Sequence, residues 1–267
     1  MLRGRTALIT GSAKGLGKRA ALELAAEGCD IIINYLHSEV EAQELQQQLT
    51  GMNVRAIAIR ADISTADGVE ELAARAEEWS PSGIDILINN AGPFIRERRL
   101  FVDYSAEEIT RLVNGNLLGV MLLDHRLLPG MRARRWGRII HFGFGHAAEA
   151  RAWPHRAVYA AAKTGLVSFT KTLAVEEAPY GITVNMIGPG DIRGDHKEMS
   201  IEQAASLIDP ESPVGRPGAG EDVGRVIVFL CHPRSDFITG NLVSVTGGFD
   251  PIRNNIMTKK ESCPPEA

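Results

Sequence analysis

Short apolar runs alternate along the chain with longer segments whose apolar residues recur every three or four positions. Seven of these runs predict buried strands, at residues 6–10, 30–34, 54–59, 84–89, 138–142, 183–187 and 242–245. The segments of helical period lie near residues 15–28, 39–50, 66–79, 105–131, 156–178 and 220–231. Strands that alternate with crossover helices form a parallel sheet covered on both faces. The pattern therefore predicts an α/β fold, with a seven-stranded parallel sheet flanked by helices.

The length of the chain suits a single hydrophobic core. We expect one domain over residues 1–255 of the 267, followed by a flexible tail over 256–267. The polar segment 191–218 is rich in Pro and Gly, breaks the alternation, and is typical of a lid or binding loop. The net charge of −4, from 29 basic and 33 acidic residues, favours neither nucleic acid nor a membrane as a partner.

The lack of a targeting signal and the spacing of the cysteines predict a cytoplasmic location. Glycine and charge interrupt the start of the chain before a signal-peptide core could form, and no run of about 18 apolar residues occurs. Cys29, Cys231 and Cys263 lack the spacing of a metal site or a disulfide framework. We expect reduced thiols, the first two in packed elements and Cys263 in the tail, and no metal.

A glycine-rich turn connects the first predicted strand to the first predicted helix. Residues 10–17 read Thr-Gly-Ser-Ala-Lys-Gly-Leu-Gly. Backbone N–H groups at the start of a helix bind phosphate, and glycine allows the tight turn and the close approach of the ligand. The turn indicates a dinucleotide site, although an ordinary strand-to-helix connection could also have this sequence. It is not a Walker A loop, because Arg19 follows Lys18 where that motif needs Ser or Thr.

Further motifs follow in order at the ends of predicted elements. They are Asp62, Asn89-Asn90-Ala91-Gly92, Asn116, Tyr159-x-x-x-Lys163 and Pro189-Gly190. Together with the Thr-Gly-x-x-x-Gly-x-Gly turn, they resemble the motifs of short-chain dehydrogenases/reductases over roughly residues 3–250. Within that family the resemblance is to 3-oxoacyl-carrier-protein reductases. It implies a single Rossmann-type doubly wound domain, oxidoreductase activity on a carbonyl or an alcohol, and a homotetramer.

The resemblance also implies a set of cofactor-binding residues. They are Gly11, Ser12, Lys14, Gly15, Leu16, Gly17, Tyr35, His37, Ser38, Asp62, Ile63, Asn90, Ala91, Gly92, Tyr159, Lys163, Pro189, Gly190 and Ile192. NAD-specific enzymes of this type carry a carboxylate at the end of the second strand, which binds the ribose 2′-OH. Tyr35 ends that strand here, and Lys14 could pair with a 2′-phosphate. We therefore expect NADP(H) as the cofactor.

Tyr159 and Lys163 are four residues apart, so they share one face of the helix predicted around them. A nearby ammonium stabilises a phenolate, so we expect Lys163 to lower the pKa of Tyr159 and to make it the proton donor or acceptor. The resemblance adds that Lys163 also binds the nicotinamide ribose. It implies too that Asn116 holds a water through which the proton is replaced.

One residue departs from the family pattern. The resemblance implies a serine at the end of the fifth strand, hydrogen-bonded to the substrate oxygen, but Phe144 occupies that position. No Ser or Thr occurs between Thr110 and Thr164, so a small shift of alignment restores no hydroxyl. We expect weak carbonyl reduction with His146, His155 or an ordered water as the substitute. The alternative is an NADP(H)-binding regulator or scaffold with weak or no catalysis.

Two basic clusters bear on the substrate. The first comprises Arg132, Arg134, Arg135 and Arg138, and the second comprises Arg96, Arg98 and Arg99 together with the acidic Glu97. The first could attract an acidic carrier protein, or could consist of solvated cations near a helix C-terminus. The second follows the turn at Asn89–Gly92 and could shape a pocket for an anionic substrate. Residues 153–155 and the 191–218 loop are expected to line the rest of the site.

Overall fold

Seven parallel strands form one sheet, in the order β3-β2-β1-β4-β5-β6-β7. The computed structural model describes residues 2–250. The strands are β1 (Thr6–Ile9), β2 (Asp30–Tyr35), β3 (Ala56–Arg60), β4 (Ile86–Asn89), β5 (Gly137–Phe142), β6 (Ile182–Pro189) and β7 (Leu242–Val245). All seven predicted strands are present, and the predicted Rossmann-type fold class is confirmed.

The strands are largely buried and mainly apolar because helices cover both faces of the sheet. In β1, Ala7 and Ile9 pack in one layer of the core, whereas Leu8 packs in the other. This alternation follows from the opposite directions of successive side chains along a strand. Helices α1 (Gly15–Ala26), α2 (Glu39–Gly51) and α8 (Gly220–Cys231) supply one layer. The other layer is formed by α3 (Ala66–Trp79), α5 (Gly119–Arg134) and α6 (Ala157–Glu177).

The helix predicted over 105–131 is interrupted. It consists of α4 (Ala106–Val113), a π-helical turn over Asn114–Leu118, and α5. The glycines on either side of Asn116 explain how closely this segment approaches the strand ends. A Cβ on Gly115 would lie 2.4 Å from Pro93 Cδ, and one on Gly119 would lie 1.9 Å from the Ile63 carbonyl oxygen. A π turn inside a helix often marks a functional site.

The 191–218 segment is more regular than its composition predicts. It contains a 3₁₀ turn over Gly194–Lys197 and the short helix α7 (Ile201–Ala205). Ser200 starts α7 with a capping box, because its Oγ accepts from the Gln203 N–H and the Gln203 side chain accepts from the Ser200 N–H. The expectation of an irregular loop was therefore wrong for these residues.

Cys29 and Cys231 are free and buried, as predicted, and burial raises the pKa of the Cys29 thiol to about 12. The predicted tail and Cys263 lie outside the described residues. No helix among residues 2–250 is both long and apolar enough to span a membrane. Within the same range, no cluster of His, Cys, Asp or Glu forms a candidate metal site.

The strand order reverses between β1 and β4, with the earlier strands on one side and the later strands on the other. In sheets of this kind, ligands bind beyond the carboxyl ends of the strands, at the point of reversal. The glycine-rich turn follows β1 there, and the Asn-Ala-Gly run follows β4. The fold thus brings the sequence motifs to one edge of the sheet.

Candidate active site

The glycine-rich turn lies close against the end of β4. Gly11 and Gly15 have positive φ values of 60° and 63°, a conformation that suits glycine. A Cβ on Gly17 would lie 2.7 Å from the Gly11 carbonyl oxygen and 2.6 Å from Asn90 Nδ2. The Asn90 amide itself donates to the Thr10 and Gly11 carbonyl oxygens. These contacts hold the backbone of the turn at the start of α1.

A carboxylate from the 191–218 segment binds to this turn. The Gly15 N–H donates to Glu198 Oε1 at 2.7 Å, and Lys18 Nζ lies 2.8 Å from the other oxygen. Partial burial opposes ionisation of Glu198, but the Gly15 N–H and the Lys18 ammonium outweigh it, and the pKa of the carboxyl is lowered. The turn therefore already binds an anionic oxygen, so its residues fit the pyrophosphate of a dinucleotide.

A cavity of about 490 Å³ lies beside the turn, beyond β2 and β3. Six of the predicted cofactor residues line it: Gly11, His37, Asp62, Ile63, Ala91 and Gly92. Asp62 is held in place because its Oδ1 accepts from both the N–H and the hydroxyl of Ser64. Arg111 also lines this cavity, and sequence reasoning had not selected it. The dimensions and position suit the adenosine half of a dinucleotide.

Some predicted cofactor residues do not line this cavity. Ser12 is fully buried and its hydroxyl donates to the Ile9 carbonyl oxygen, so its side chain supports the turn from within. Lys14 forms an ion pair with Glu41 at the start of α2, and the ammonium lowers the pKa of the Glu41 carboxyl. Tyr35 and Ser38 lie at the end of β2 and immediately before α2, outside the cavity lining.

A second cavity, of about 570 Å³, extends from the turn toward β5 and β6; we call it the cleft. Nine predicted residues meet there: Leu16, Asn90, Gly92, Asn116, Tyr159, Lys163, Pro189, Gly190 and Ile192. Tyr159 and Lys163 lie one helical turn apart on α6, and Lys163 Nζ is 6.0 Å from the centre of the Tyr159 ring. The predicted catalytic residues thus surround one space.

Burial, rather than charge, sets the ionisation of this pair. It raises the pKa of Tyr159 to about 12 and lowers that of Lys163 to about 8. The expectation that Lys163 would lower the pKa of Tyr159 is not met, since desolvation disfavours phenolate and ammonium alike. At neutral pH the phenol therefore carries its proton and can donate it.

Asn116 lies in the π turn, fully buried and directly below Gly92. Its Nδ2 donates to the carbonyl oxygens of Pro93 and Leu112, at 2.8 and 3.0 Å. Its Oδ1 has no hydrogen-bond partner among residues 2–250. A Cβ on Gly92 would lie 2.3 Å from that oxygen and 3.6 Å from Lys163 Nζ. Asn116 thus presents an unpaired acceptor near the ammonium, which suits a bound water between them.

Aromatic rings form the substrate side of the cleft. Phe144 is buried, and its ring centre lies 4.7 Å from that of Trp153 and 6.2 Å from that of Tyr159. Phe94 packs edge-on against Tyr159 at 5.0 Å. Phe144 therefore fills the expected serine position with an apolar surface and provides no hydrogen-bond donor there. Sequence reasoning missed Phe94, which carries no polar signal.

Neither proposed histidine reaches the cleft lining of the described chain. His146 has its Nδ1 2.7 Å from the Glu149 carboxylate, and His155 Nδ1 is buried without a hydrogen-bond partner among residues 2–250. The expectation that one of these rings replaces the serine is therefore wrong in this conformation. Both residues adopt positive φ values of 67°, in the loop that places Trp153.

A fully buried polar network lies below the cleft, between β4, β5 and the helices behind them. His141 Nε2 is 2.8 Å from Asp124, and its Nδ1 is 2.8 Å from the Thr170 hydroxyl. That hydroxyl donates to a carbonyl of its own helix, so it accepts from His141. Asn89 donates to the other Asp124 oxygen at 2.8 Å. The network ties together the two strands from which Asn90 and Phe144 extend.

The cluster at 132–138 lies at the opposite, amino-terminal edge of β5. Arg132 pairs with Glu177, Arg134 donates to the Ile84 carbonyl oxygen, and Arg138 is 1% exposed. These side chains are committed to contacts within the chain and lie far from the strand ends that form the cleft. The structure gives no support to the cluster as a docking surface for a carrier protein.

Comparison with known proteins identifies the family. Residues 11–250 match the family model described as Enoyl-(Acyl carrier protein) reductase. A Bacillus subtilis protein named as an oxidoreductase, YtkK, is 43% identical over 255 residues, which cover 95% of this chain and 100% of that protein. A 3-oxoacyl-[acyl-carrier-protein] reductase of Synechocystis is 35% identical, over 92% of this chain and 97% of its own. The chain belongs to the short-chain dehydrogenase/reductase family and is an oxidoreductase of that family.

Solved structures agree with this assignment. A Bacillus thuringiensis protein described as a 3-oxoacyl-reductase superposes with a TM-score of 0.87 and 41% identity, over 93% of this chain and 99% of that chain. A blue fluorescent protein from a metagenomic library, solved in complex with NADPH, superposes with a TM-score of 0.79 and 29% identity, over 93% of this chain and 98% of its own. The resemblance stated from the sequence motifs is confirmed.

Proposed function

We propose that this protein is an NADP(H)-dependent reductase that converts a carbonyl compound into an alcohol. The observation that carries the proposal is the position of Tyr159 and Lys163, one helical turn apart in a cleft continuous with the phosphate-binding turn. This places a proton donor beside the region where a dinucleotide held by that turn would end.

Each residue of the cleft has a separate role in the reduction. A bound nicotinamide supplies the hydride that reaches the carbonyl carbon. Tyr159 holds the carbonyl oxygen by a hydrogen bond and gives it the phenolic proton as negative charge develops. Lys163 stabilises that charge and holds the ribose, and a water on Asn116 Oδ1 returns a proton toward Lys163 and Tyr159. Phe144 contributes no hydrogen bond, so we expect turnover to be slow.

Preference for NADP(H) is part of the proposal. It is supported by the NADPH complex of a structural relative and by the absence of a carboxylate at the end of β2. Lys14 remains the proposed partner of a 2′-phosphate, although it would share its charge with Glu41. Arg60 pairs in register with Tyr35 and donates to the Leu36 carbonyl oxygen, so it is a second cation beside the end of β2.

A second function has one observation in its favour. Phe144 removes the donor that would stabilise a carbonyl oxygen, which suits an NADP(H)-binding regulator with weak or no catalysis. The retention of Tyr159 and Asn116 together with Lys163 favours the enzyme, because a protein that only binds NADP(H) needs Lys163 to hold the ribose but has no use for a phenol that acts on the substrate. A homotetramer, a cytoplasmic location and a 3-oxoacyl thioester as substrate remain predictions.

Turnover and binding assays with the purified protein distinguish these functions. We expect NADPH to bind at least tenfold more tightly than NADH, a difference of about 1.4 kcal/mol. We also expect NADPH oxidation with simple ketones, aldehydes or acetoacetyl-N-acetylcysteamine. NADPH binding without turnover of any carbonyl would mean that the protein is the NADP(H)-binding regulator and not a carbonyl reductase. Reduction of crotonyl-N-acetylcysteamine alone would instead identify a reductase of carbon–carbon double bonds.

A further inference from the structure

Positive charge dominates the lining of the cleft. Six cationic side chains line it: Arg96, Arg98, Arg156, Lys163, Arg193 and Lys197. Asp191 is the one carboxylate among the described lining residues, and it pairs with Arg193. The whole protein has a net charge of −4, so this concentration of cations is local. A cleft lined by one sign of charge attracts ligands of the other.

Among residues 2–250, no carboxylate pairs with Arg156. Its Nη1 donates to the Glu97 carbonyl oxygen at 2.7 Å, and its Nη2 donates to that of Arg96 at 2.8 Å. The guanidinium carbon lies 5.0 Å from the centre of the Phe94 ring. Carbonyl dipoles and a ring face position the group but leave its full charge unneutralised. A planar guanidinium fixed in this way is suited to binding a carboxylate or a phosphate.

The neighbouring cations differ in their pairing. Arg96 and Lys197 make no ion pair with any described carboxylate, whereas Arg99, which does not line the cleft, pairs with Glu108 at 2.7 Å. Arg96 and Arg156 are therefore available to an external anion, whereas Lys197 lies against Gly15 of the phosphate-binding turn and Arg99 is already neutralised. This contrast argues against a uniformly solvated basic surface.

The geometry relates this charge to the reacting centre. Arg156 and Tyr159 are three residues apart at the start of α6, and the Phe94 ring contacts both. The guanidinium carbon and the centre of the phenol ring each lie 5.0 Å from the centre of Phe94, so their separation is at most twice that distance. One small molecule can therefore place its carbonyl at Tyr159 and an anionic group at Arg156.

We propose that the substrate is a carbonyl compound carrying a carboxylate or phosphate a few bonds from the reacting carbon, and that Arg156 binds this anion with help from Arg96. The inference rests on the proposed reductase function and names its substrate class. The rings of Phe144 and Trp153 contact the apolar part of the molecule between these two groups. Ion pairing at Arg156 thus supplies orientation that the missing serine would otherwise provide.

Matched substrates test the anion. The wild-type protein is assayed with NADPH and 4-oxopentanoate, 3-oxobutyl phosphate or the neutral methyl 4-oxopentanoate, which share the same methyl ketone. We expect kcat/KM for at least one anion to exceed that of the ester by tenfold or more, and the better anion identifies the class. Turnover of the ester at an equal or higher kcat/KM overturns the inference and leaves the reductase function intact. If none of the three is reduced, the inference is overturned, and the wider carbonyl panel decides the reductase function.

Charge variants locate the binding group. We expect Arg156→Gln to lower kcat/KM for the preferred anion at least tenfold, with the ester and the NADPH dissociation constant changing less than twofold. Arg156→Lys keeps a cation and should retain most of the preference, and Arg99→Gln, the control, should leave it unchanged. Equal losses on anion and ester in Arg156→Gln, with Arg96→Gln behaving like wild type, would assign Arg156 a structural role and overturn the proposal.

Discussion

The two halves of the ligand-binding edge are built differently. Beyond β1 and β4, the binding groups are mainly backbone, held by glycines and by the Asn90 side chain. Beyond β5 and β6, they are side chains from loops, among them Phe144, Trp153 and Arg156, which meet Phe94 from the loop after β4. The first arrangement suits the phosphates and sugars common to all dinucleotides. The second can change without disturbing the first, so it is where this chain departs from its family.

The largest expected effect follows from removing the proton donor on the substrate side. Tyr159→Phe should lower kcat for a reducible carbonyl at least 10³-fold, because no other described group in the cleft is placed to protonate the oxygen. The NADPH dissociation constant should stay within twofold, since the phenol acts on the substrate. Steady-state kinetics with calorimetric titration measure both, and activity near wild type would remove Tyr159 from the mechanism.

Lys163 lies where the two halves meet, and its burial works against folding. The pKa of Lys163 shifts from 10.5 to about 8 on folding. A charged ammonium in the folded state therefore lowers the free energy of unfolding by roughly 3 kcal/mol. The unfolded chain holds this proton more tightly, so wild-type stability should rise between about pH 8 and 10.5. Lys163→Met should therefore be more stable than wild type at pH 7, by up to about 3 kcal/mol.

This advantage should disappear by about pH 10.5, while carbonyl turnover is lost at every pH. Urea unfolding at pH 7 and pH 10, followed by circular dichroism, measures the difference. Leu166→Met, a neutral buried position on the same helix, serves as the control. A Lys163→Met protein less stable than wild type at pH 7 would mean that the ammonium has partners in the folded state that offset the free-energy cost of its burial.

Replacing Phe144 by serine would restore the family's residue on the substrate side of the cleft. Phe144→Ser should raise kcat for a small neutral ketone about tenfold, because a lost oxyanion donor typically costs 10²- to 10³-fold and a single hydroxyl recovers part of it. The same change removes a buried ring and should lower the unfolding free energy by about 3 kcal/mol. Assays below the melting temperature separate the two effects. No gain on any carbonyl would mean that the cleft no longer depends on that hydrogen bond.

The smallest effect concerns the cofactor half. The Glu198 carboxylate accepts a hydrogen bond from the Gly15 N–H and pairs with Lys18, so a bound pyrophosphate has to displace this carboxylate. Glu198→Gln should tighten NADPH binding about threefold, with Glu202→Gln, an exposed change on α7, as the control. Weaker binding in Glu198→Gln, measured by titration of NADPH fluorescence, would indicate that the carboxylate shapes the turn for the cofactor.

The same contrast governs what the sequence could predict. Glycine spacing in the turn and the Asn-Ala-Gly run predicted a backbone-built site, because each glycine has a steric reason visible in the motif. The π turn at Asn116 was not predicted, since nothing in a helical pattern distinguishes it from a regular turn. The pKa of Tyr159 was predicted in the wrong direction, because burial is a property of the whole fold.

The substrate half was predicted only in part. Phe144 was identified because its position follows β5 directly, and Arg96 and Arg98 because they follow the turn after β4. Arg156 was missed, since its significance depends on Phe94 and on two carbonyls about sixty residues away. Glu198 was missed for the same reason, being 183 residues from Gly15. Contacts between loops that are distant in the sequence leave no local sequence pattern from which they could be predicted.

Transfer of deuterium tests the central claim, that this cleft reduces a carbonyl. NADPH labelled with deuterium at nicotinamide C4, as each of the two diastereomers, is incubated with the protein and the best substrate of the carbonyl panel, and the alcohol is analysed by mass spectrometry. The account predicts one deuterium on the former carbonyl carbon with one diastereomer and none with the other, and no labelled product with Tyr159→Phe. Binding of NADPH without deuterium transfer to any carbonyl would contradict it.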